Sequence, residues 1–209
     1  MQKTTLPLIE TICLQDGQIP LLAYHQKRVN RSRFMLFGIK KQLNLDTFLK
    51  EQDLPKTGRH KLRIVYDRLV HDFTCVPYQQ KKITNLRIVV ENTVDYRHKY
   101  LDRKALDNAY SYRDGCDDII ISHHQFVTDT YFGNIALFDG KKWWTPAHPL
   151  LKGVQRNALI KNGQLHPTVI RIPDLKYFKE IKIINAMIRL EDSPAIPISK
   201  VFHSGEVID

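Results

Sequence analysis

Asp95-Tyr96-Arg97-His98-Lys99-Tyr100-Leu101-Asp102-Arg103 is followed downstream by Val127-Thr128-Asp129, Asn134-Ile135, Thr145-Pro146 and Gly153-Val154-Gln155-Arg156. Taken singly these pieces say little, because a K-x-x-x-R or a T-P arises by chance in most proteins. Their order, and the elements they interrupt, say more. Arg103 leads into a helical stretch to about Tyr112, and Asp118–Ser122 and Asn134–Phe138 read as apolar strands. Asp139-Gly140 is a strong turn signal leading to a strand over Lys142–Thr145. A short helix is expected after Gly153 and another after Pro173, with proline in its first turn, and Ile181–Ile188 reads as a fully apolar strand.

Upstream, Leu6–Leu14, the turn Gln15-Asp16-Gly17-Gln18 and Ile19–Ala23 predict a hairpin. A helix is expected from His25 to about Gly38, and a second through Leu54 with Asp46 as its N-cap. Lys61–Tyr66 and Asp72–Tyr78 read as strands joined by a short turn, and Leu86–Val90 as another strand. The polar run Gln79-Gln80-Lys81-Lys82 marks a boundary. The expectation is therefore a mixed α/β (α+β) chain of two domains, 1–80 and 84–209, the second larger and richer in strands.

At 209 residues, with 43% hydrophobic and 26% charged residues, the chain has the composition of an ordinary globular protein long enough to bury a core. It contains no run of about 18 apolar residues, and Met1–Pro7 carries no apolar leader, so a cytoplasmic protein with no membrane partner is expected. Cys13, Cys75 and Cys116 form no C-x-x-C pair and are odd in number, which argues against a disulfide framework or a zinc finger. His123-His124 are neighbours that point to opposite faces of a strand, so no metal site is expected. The net charge of +10 would suit nucleic acid. Lys and Arg are scattered, however, and no aromatic-basic RNA-binding signature is present, so that partner is disfavoured against a solvated basic face or steering of an anionic substrate.

The motifs quoted above resemble those of the fold-type IV enzymes that use pyridoxal 5'-phosphate (PLP), the class IV aminotransferases together with aminodeoxychorismate lyase. Lys99–Arg103 is similar to the K-h-L-N-R of lyase-like members, with Asp102 for Asn; Val127-Thr128-Asp129 is similar to V-T-E; Gly153–Arg156 is similar to G-[IV]-x-R. Nearer the start, Ile9-Glu10-Thr11-Ile12 with Asp16-Gly17 resembles F-E-T-[IM]-R and D-G, with Cys13 where Arg is common. His25-Gln26-Lys27-Arg28 resembles H-x-x-R, and Asn185-Ala186 a late N-A. The resemblance covers nearly the whole chain and implies a small N-terminal α/β domain and a larger C-terminal pseudo-barrel domain.

The resemblance also assigns roles. PLP needs a lysine held as nucleophile, which implies Lys99, and a carboxylate that keeps the pyridine nitrogen protonated, which implies Asp129, one methylene shorter than the usual Glu. Its phosphate needs a helix start, here Val154 and Gln155 after Gly153, and an arginine, Arg28. Gln155 stands where Thr is common. Asn185 is a further candidate contact, although an Asn in an apolar strand also serves to satisfy backbone groups. Thr11 matches a threonine placed near the cofactor in the lyases, against the plain reading of a strand threonine. Tyr96, Tyr100, Tyr110 and Tyr112 surround the lysine segment without marking any one of them. The chain is shorter than most such enzymes between Tyr66 and Gln79, where relatives carry a substrate loop, and Arg63 is left as a carboxylate contact. The lysine and N-A segments favour a lyase that releases pyruvate from 4-amino-4-deoxychorismate to give 4-aminobenzoate. A D-amino acid or branched-chain aminotransferase and a non-catalytic PLP- or nucleic-acid-binding homologue are the alternatives. The family is usually homodimeric.

Overall fold

The computed structural model describes residues 6–203 and 206–207, so most of the chain start, read above as leaderless, lies outside the described residues. The chain divides into two compact units, Met1–Gln79 with His98–Asp102, and Gln80–Arg97 with Arg103–Asp209. No helix among the described residues is long and apolar enough to cross a membrane.

In the first unit β1 (Leu8–Gln15) alternates strictly, turning Leu8, Glu10, Ile12 and Leu14 inward. It is followed by α1 (Leu22–Phe37), α2 (Leu45–Lys50), β2 (Arg59–Tyr66) and β3 (Val70–Pro77). The three strands form an antiparallel sheet in the order β1-β2-β3. Its inner face packs Leu8, Ile12, Leu14, Leu62 and Ile64 against Val29 of α1 and Leu45 and Leu49 of α2. Gly38 closes α1 in the left-handed conformation, φ 68°, where a Cβ is disfavoured. The segment around Lys99 runs antiparallel along the other edge of β1: Ile9 N–H donates to Lys99 O at 3.0 Å and Leu101 N–H to Pro7 O at 2.8 Å.

Two sequence expectations are corrected here. Ile19–Ala23 is not the second strand of a hairpin. Gln15 and Gln18 do close the Asp16-Gly17 turn, but Pro20 has no N–H to extend a ladder, the chain turns into α1 at Leu22, and β1 pairs with β2 instead. Asn44, not Asp46, caps α2: its side chain accepts the Thr47 N–H at 3.0 Å, which puts Asp46 inside the first turn, and the helix ends at Lys50, short of Leu54.

The second unit runs β4 (Leu86–Val90), α3 (Lys104–Ser111), β5 (Asp118–His123), β6 (Phe126–Thr130), β7 (Asn134–Phe138), β8 (Trp143–Pro146), α4 (Val154–Lys161), β9 (His166–Thr168), β10 (Glu180–Ile184), β11 (Ile196–Pro197), β12 (Val201–His203) and β13 (Glu206–Val207). One sheet takes all ten strands, in the order β11-β10-β7-β6-β5-β4-β12-β13, with β8 and β9 branching from β7. The parallel pair β4 and β5 is joined through α3, as a parallel connection requires. Leu86, Ile88, Ile120, Ile135, Leu137, Ile181 and Ile183 fill the main core. The expected strand Ile181–Ile188 is shorter, because the Asn185 side-chain oxygen accepts the N–H groups of Met187 at 2.8 Å and Ile188 at 3.0 Å and turns the chain. The segment after Arg171 is a 3₁₀ helix, Ile172–Tyr177, with Pro173 at its start.

Candidate active site

The first unit gathers its charged residues around β1. Glu10 is the one inward-facing position of that strand that is not apolar, and it is completely buried. Such a carboxylate must be compensated. Arg28, from α1, meets it with a two-pronged contact, Nε to Oε1 at 2.7 Å and Nη2 to Oε2 at 2.6 Å. His25, one helical turn earlier, adds Nδ1 to Oε2 at 2.5 Å. Burial alone would raise the Glu10 pKa, but the Arg28 charge and the hydrogen bonds from His25 and Arg28 outweigh it and hold the carboxyl at about 2. His25 is pushed the other way: its desolvation lowers its pKa despite the carboxylate beside it. It is thus a neutral imidazole donating through Nδ1, not the second cation of an ion pair.

One buried polar atom of this cluster, His25 Nε2, has no hydrogen-bond partner among the described residues. Burial and the Glu10 charge raise the Tyr66 pKa, so the phenol keeps its proton and is a donor. Lys99 lies within electrostatic reach, since its charge contributes to the depression of His25. Its backbone is left-handed, φ 53°, a conformation that costs a non-glycine residue on the order of 1 kcal/mol and is found where surroundings impose it. The other predicted residue of this unit, Thr11, is half-buried and faces away from Glu10, in register with Arg63. Replacing Glu10 by Gln removes the carboxylate that Arg28 and His25 both meet and is expected to lower unfolding stability by roughly 3 kcal/mol. Urea denaturation measures it, and a change below about 1 kcal/mol would show that the pair matters little.

In the second unit the motifs interlock around Asp129. This carboxylate, at the end of β6, is buried; Asn134 Nδ2 donates to its Oδ1 at 2.6 Å and Leu151 N–H to its Oδ2 at 2.8 Å. Desolvation dominates over these bonds and over the Arg156 charge, raising its pKa to about 7. Arg156 is itself buried, with Nη2 donating to Pro146 O at 2.8 Å and Nε to Thr145 Oγ1 at 3.3 Å. Thr145-Pro146 and Gly153–Arg156 therefore belong together because one holds the guanidinium of the other.

The start of α4 completes this group. Gly153, Val154, Gln155 and Arg156 are all buried, the N-cap glycine offers no capping side chain, and the first turn carries no acid. First-turn N–H groups have no partner within a helix, so such a start suits an anion. Asn185 follows Ile184, the register partner of Asn134; its oxygen closes the turn after β10 and its amide donates to Phe132 O at 3.3 Å. Sequence reasoning gave no role to Glu10, His25, Asn134 or Arg156. For Glu10 the signal was available, as the charged residue in an inward row of apolar ones.

A family model described as amino-transferase class IV matches residues 7–200. An uncharacterized protein of Haemophilus influenzae is 35% identical over 184 residues, 87% of this chain and 97% of its own. A Schizosaccharomyces pombe protein provisionally named aminodeoxychorismate lyase is 25% identical over 198 residues, 86% of this chain and 85% of its own. Among solved structures, a Haemophilus somnus protein provisionally named 4-amino-4-deoxychorismate lyase superposes with a TM-score of 0.82 and 32% identity, covering 91% of this chain and 100% of that one.

Proposed function

The chain belongs to the class IV aminotransferase family, whose enzymes use PLP, and we propose that it is a lyase that converts 4-amino-4-deoxychorismate into 4-aminobenzoate and pyruvate. The observation that carries this reading is the 32% identity to the Haemophilus somnus protein over that protein's full length. The distant Schizosaccharomyces pombe relative is named for the same activity.

The residues present fit the cofactor. A buried helix start without a capping side chain, and a guanidinium braced by a buried carboxylate, are what a phosphate dianion needs. In this reading Val154 and Gln155 receive the phosphate through their backbone N–H groups. Arg28 is the candidate arginine for the same phosphate. Asp129 is the acidic partner of the ring nitrogen, and Lys99 is the point of covalent attachment. Bound PLP supplies an electron sink that makes the proton on the amine-bearing carbon of the substrate removable. Lys99 would take that proton; the electron pair left behind expels the enolpyruvyl oxygen as its C–O bond to the ring breaks and the ring becomes aromatic, and Lys99 would return the proton to the methylene carbon of the departing enol, which leaves as pyruvate. Arg63 is the candidate for a substrate carboxylate, and Thr11, in register beside it, for assisting proton transfer. Asn185, whose oxygen closes the turn after β10, is the further candidate for a phosphate or substrate contact. The three-residue connection Asp67–Leu69 between β2 and β3, tied by Asp67 N–H to Leu69 O at 3.0 Å, replaces a longer substrate loop.

The purified enzyme, given 4-amino-4-deoxychorismate with no keto acid, is expected to form 4-aminobenzoate and pyruvate in equal amounts over many turnovers. A transaminase, in contrast, is left in its amino form after one half-reaction and needs a keto acid acceptor. Loss of the cofactor's yellow colour on adding D-alanine, L-leucine or L-glutamate, with no 4-aminobenzoate from the chorismate derivative, would replace the lyase by an aminotransferase. Light scattering tests the homodimer that forms part of this proposal.

A further inference from the structure

Asp129 and Asn134 face each other as the register pair that joins β6 to β7, and both are buried. Asn134 Nδ2 divides its donors between Asp129 Oδ1 at 2.6 Å and Leu151 O at 2.8 Å, while Leu151 N–H returns to Asp129 Oδ2 at 2.8 Å. Both carboxylate oxygens are thereby tied to the loop that leads into α4, one directly and one through Asn134. The other end of the asparagine amide is fixed as well. A Cβ on Gly153, the N-cap of α4, would stand 2.0 Å from Asn134 Oδ1. The Gly153 backbone has φ −62° and ψ 148°, open to any residue, so it is space and not conformation that demands glycine there. Asn134 is pressed against the helix start on one side and bonded to the carboxylate on the other.

We propose that Asn134 is a positioning residue that sets Asp129 and the start of α4 as one rigid piece, fixing the distance between the partner of a ring nitrogen and the cradle of its phosphate. This rests on the cofactor reading above and deepens it: the ligand class is a phosphorylated pyridine, and a single side chain of the second unit gauges its length. An asparagine does this where a longer amide could not, because the gap is closed by a glycine without a side chain. Burial raises the Asp129 pKa to about 7 against the donors that stabilise its ionised form, so the loss of the Asn134 donor is readable as a further rise.

The test uses the wild type, Asn134→Ala, Gly153→Ala and the double variant, with the less disruptive Asn134→Ser standing in should Asn134→Ala fail to fold. In cofactor-free protein, the carboxyl carbon of Asp129 followed by NMR is expected to titrate near 7 in the wild type and higher in the Asn134 variants, which lose a donor to the ionised form. The non-covalent probe 4'-deoxypyridoxine 5'-phosphate, which cannot attach to a lysine, is expected to bind both single variants roughly tenfold or more weakly. Gly153→Ala should be less harmful once Asn134→Ala has removed the clash. An unchanged Asp129 titration together with wild-type affinity for the probe overturns the proposal. Failure of the cofactor reading looks different: the wild type itself would not bind the probe or acquire a borohydride-fixed pyridoxyl group. The same proposal would then be overturned as to its ligand, whatever the titration shows.

Discussion

Lys99→Ala is expected to remove the covalent cofactor entirely and to lower turnover by roughly 10³-fold or more, because one side chain provides both the attachment and the proton transfer. Borohydride reduction followed by peptide mapping should find a pyridoxyl group on the peptide containing Lys99 in the wild type, and none in the variant. Lys104, at the start of α3, is the rival in sequence. A pyridoxyl group on Lys104, or on no lysine, would sink the assignment. Lys99 is preferred because it alone opens the K-x-x-x-R segment of the motif order; its backbone is left-handed, φ 53°, and its carbonyl accepts the Ile9 N–H at 3.0 Å.

Asp129→Asn should separate activity from stability. Turnover is expected to fall by about 10²-fold or more, since an amide does not hold the ring nitrogen protonated. Stability should move oppositely. Burial raises the Asp129 pKa from 3.8 to about 7, so between these values the folded chain keeps a proton that the unfolded chain releases. Its favourable contribution is complete below about pH 4 and is lost as the pH rises through 7. An asparagine has nothing to ionise. Cofactor-free Asp129→Asn should therefore gain on the wild type with rising pH, by at most about 4 kcal/mol. The new amide nitrogen faces a donor, Asn134 Nδ2 or Leu151 N–H, which lowers the variant by the same amount at every pH and leaves the change with pH intact. Urea denaturation from pH 5 to 9 reads the difference, and a stability gap that does not change with pH would rule out the buried titration.

Much of this was written in local pattern. The alternation of β1, the Asp139-Gly140 turn and the apolar strands Asp118–Ser122 and Asn134–Phe138 follow from period and turn chemistry, and they stand where the sequence puts them. The hairpin after Gln18 was misread because the Asp16-Gly17 turn forms as expected while the chain beyond it finds no partner. Asn44 was missed because an Asp two positions on competes for the same role. Of the site, the order of the motifs identified the family and the residues to examine. What it could not give was who touches whom: that Glu10 grips Arg28, that Thr145-Pro146 holds Arg156, or that Asn134 needs Gly153 to be bare. Those links join residues far apart in sequence, and no local propensity encodes them.

The first unit leaves the chain at Gln79 and recovers His98–Asp102 before the second resumes at Arg103. A ribosome therefore cannot release the first unit finished: the strand edge beside Leu8 waits until Tyr100 has emerged, after Gln80–Arg97 of the other unit is already made. Neither unit can be excised by a single cut or exchanged by simple recombination, because any breakpoint between Gln79 and Arg103 severs one of them. A break anywhere between Gln79 and Arg103 thus leaves at least one unit without part of its chain.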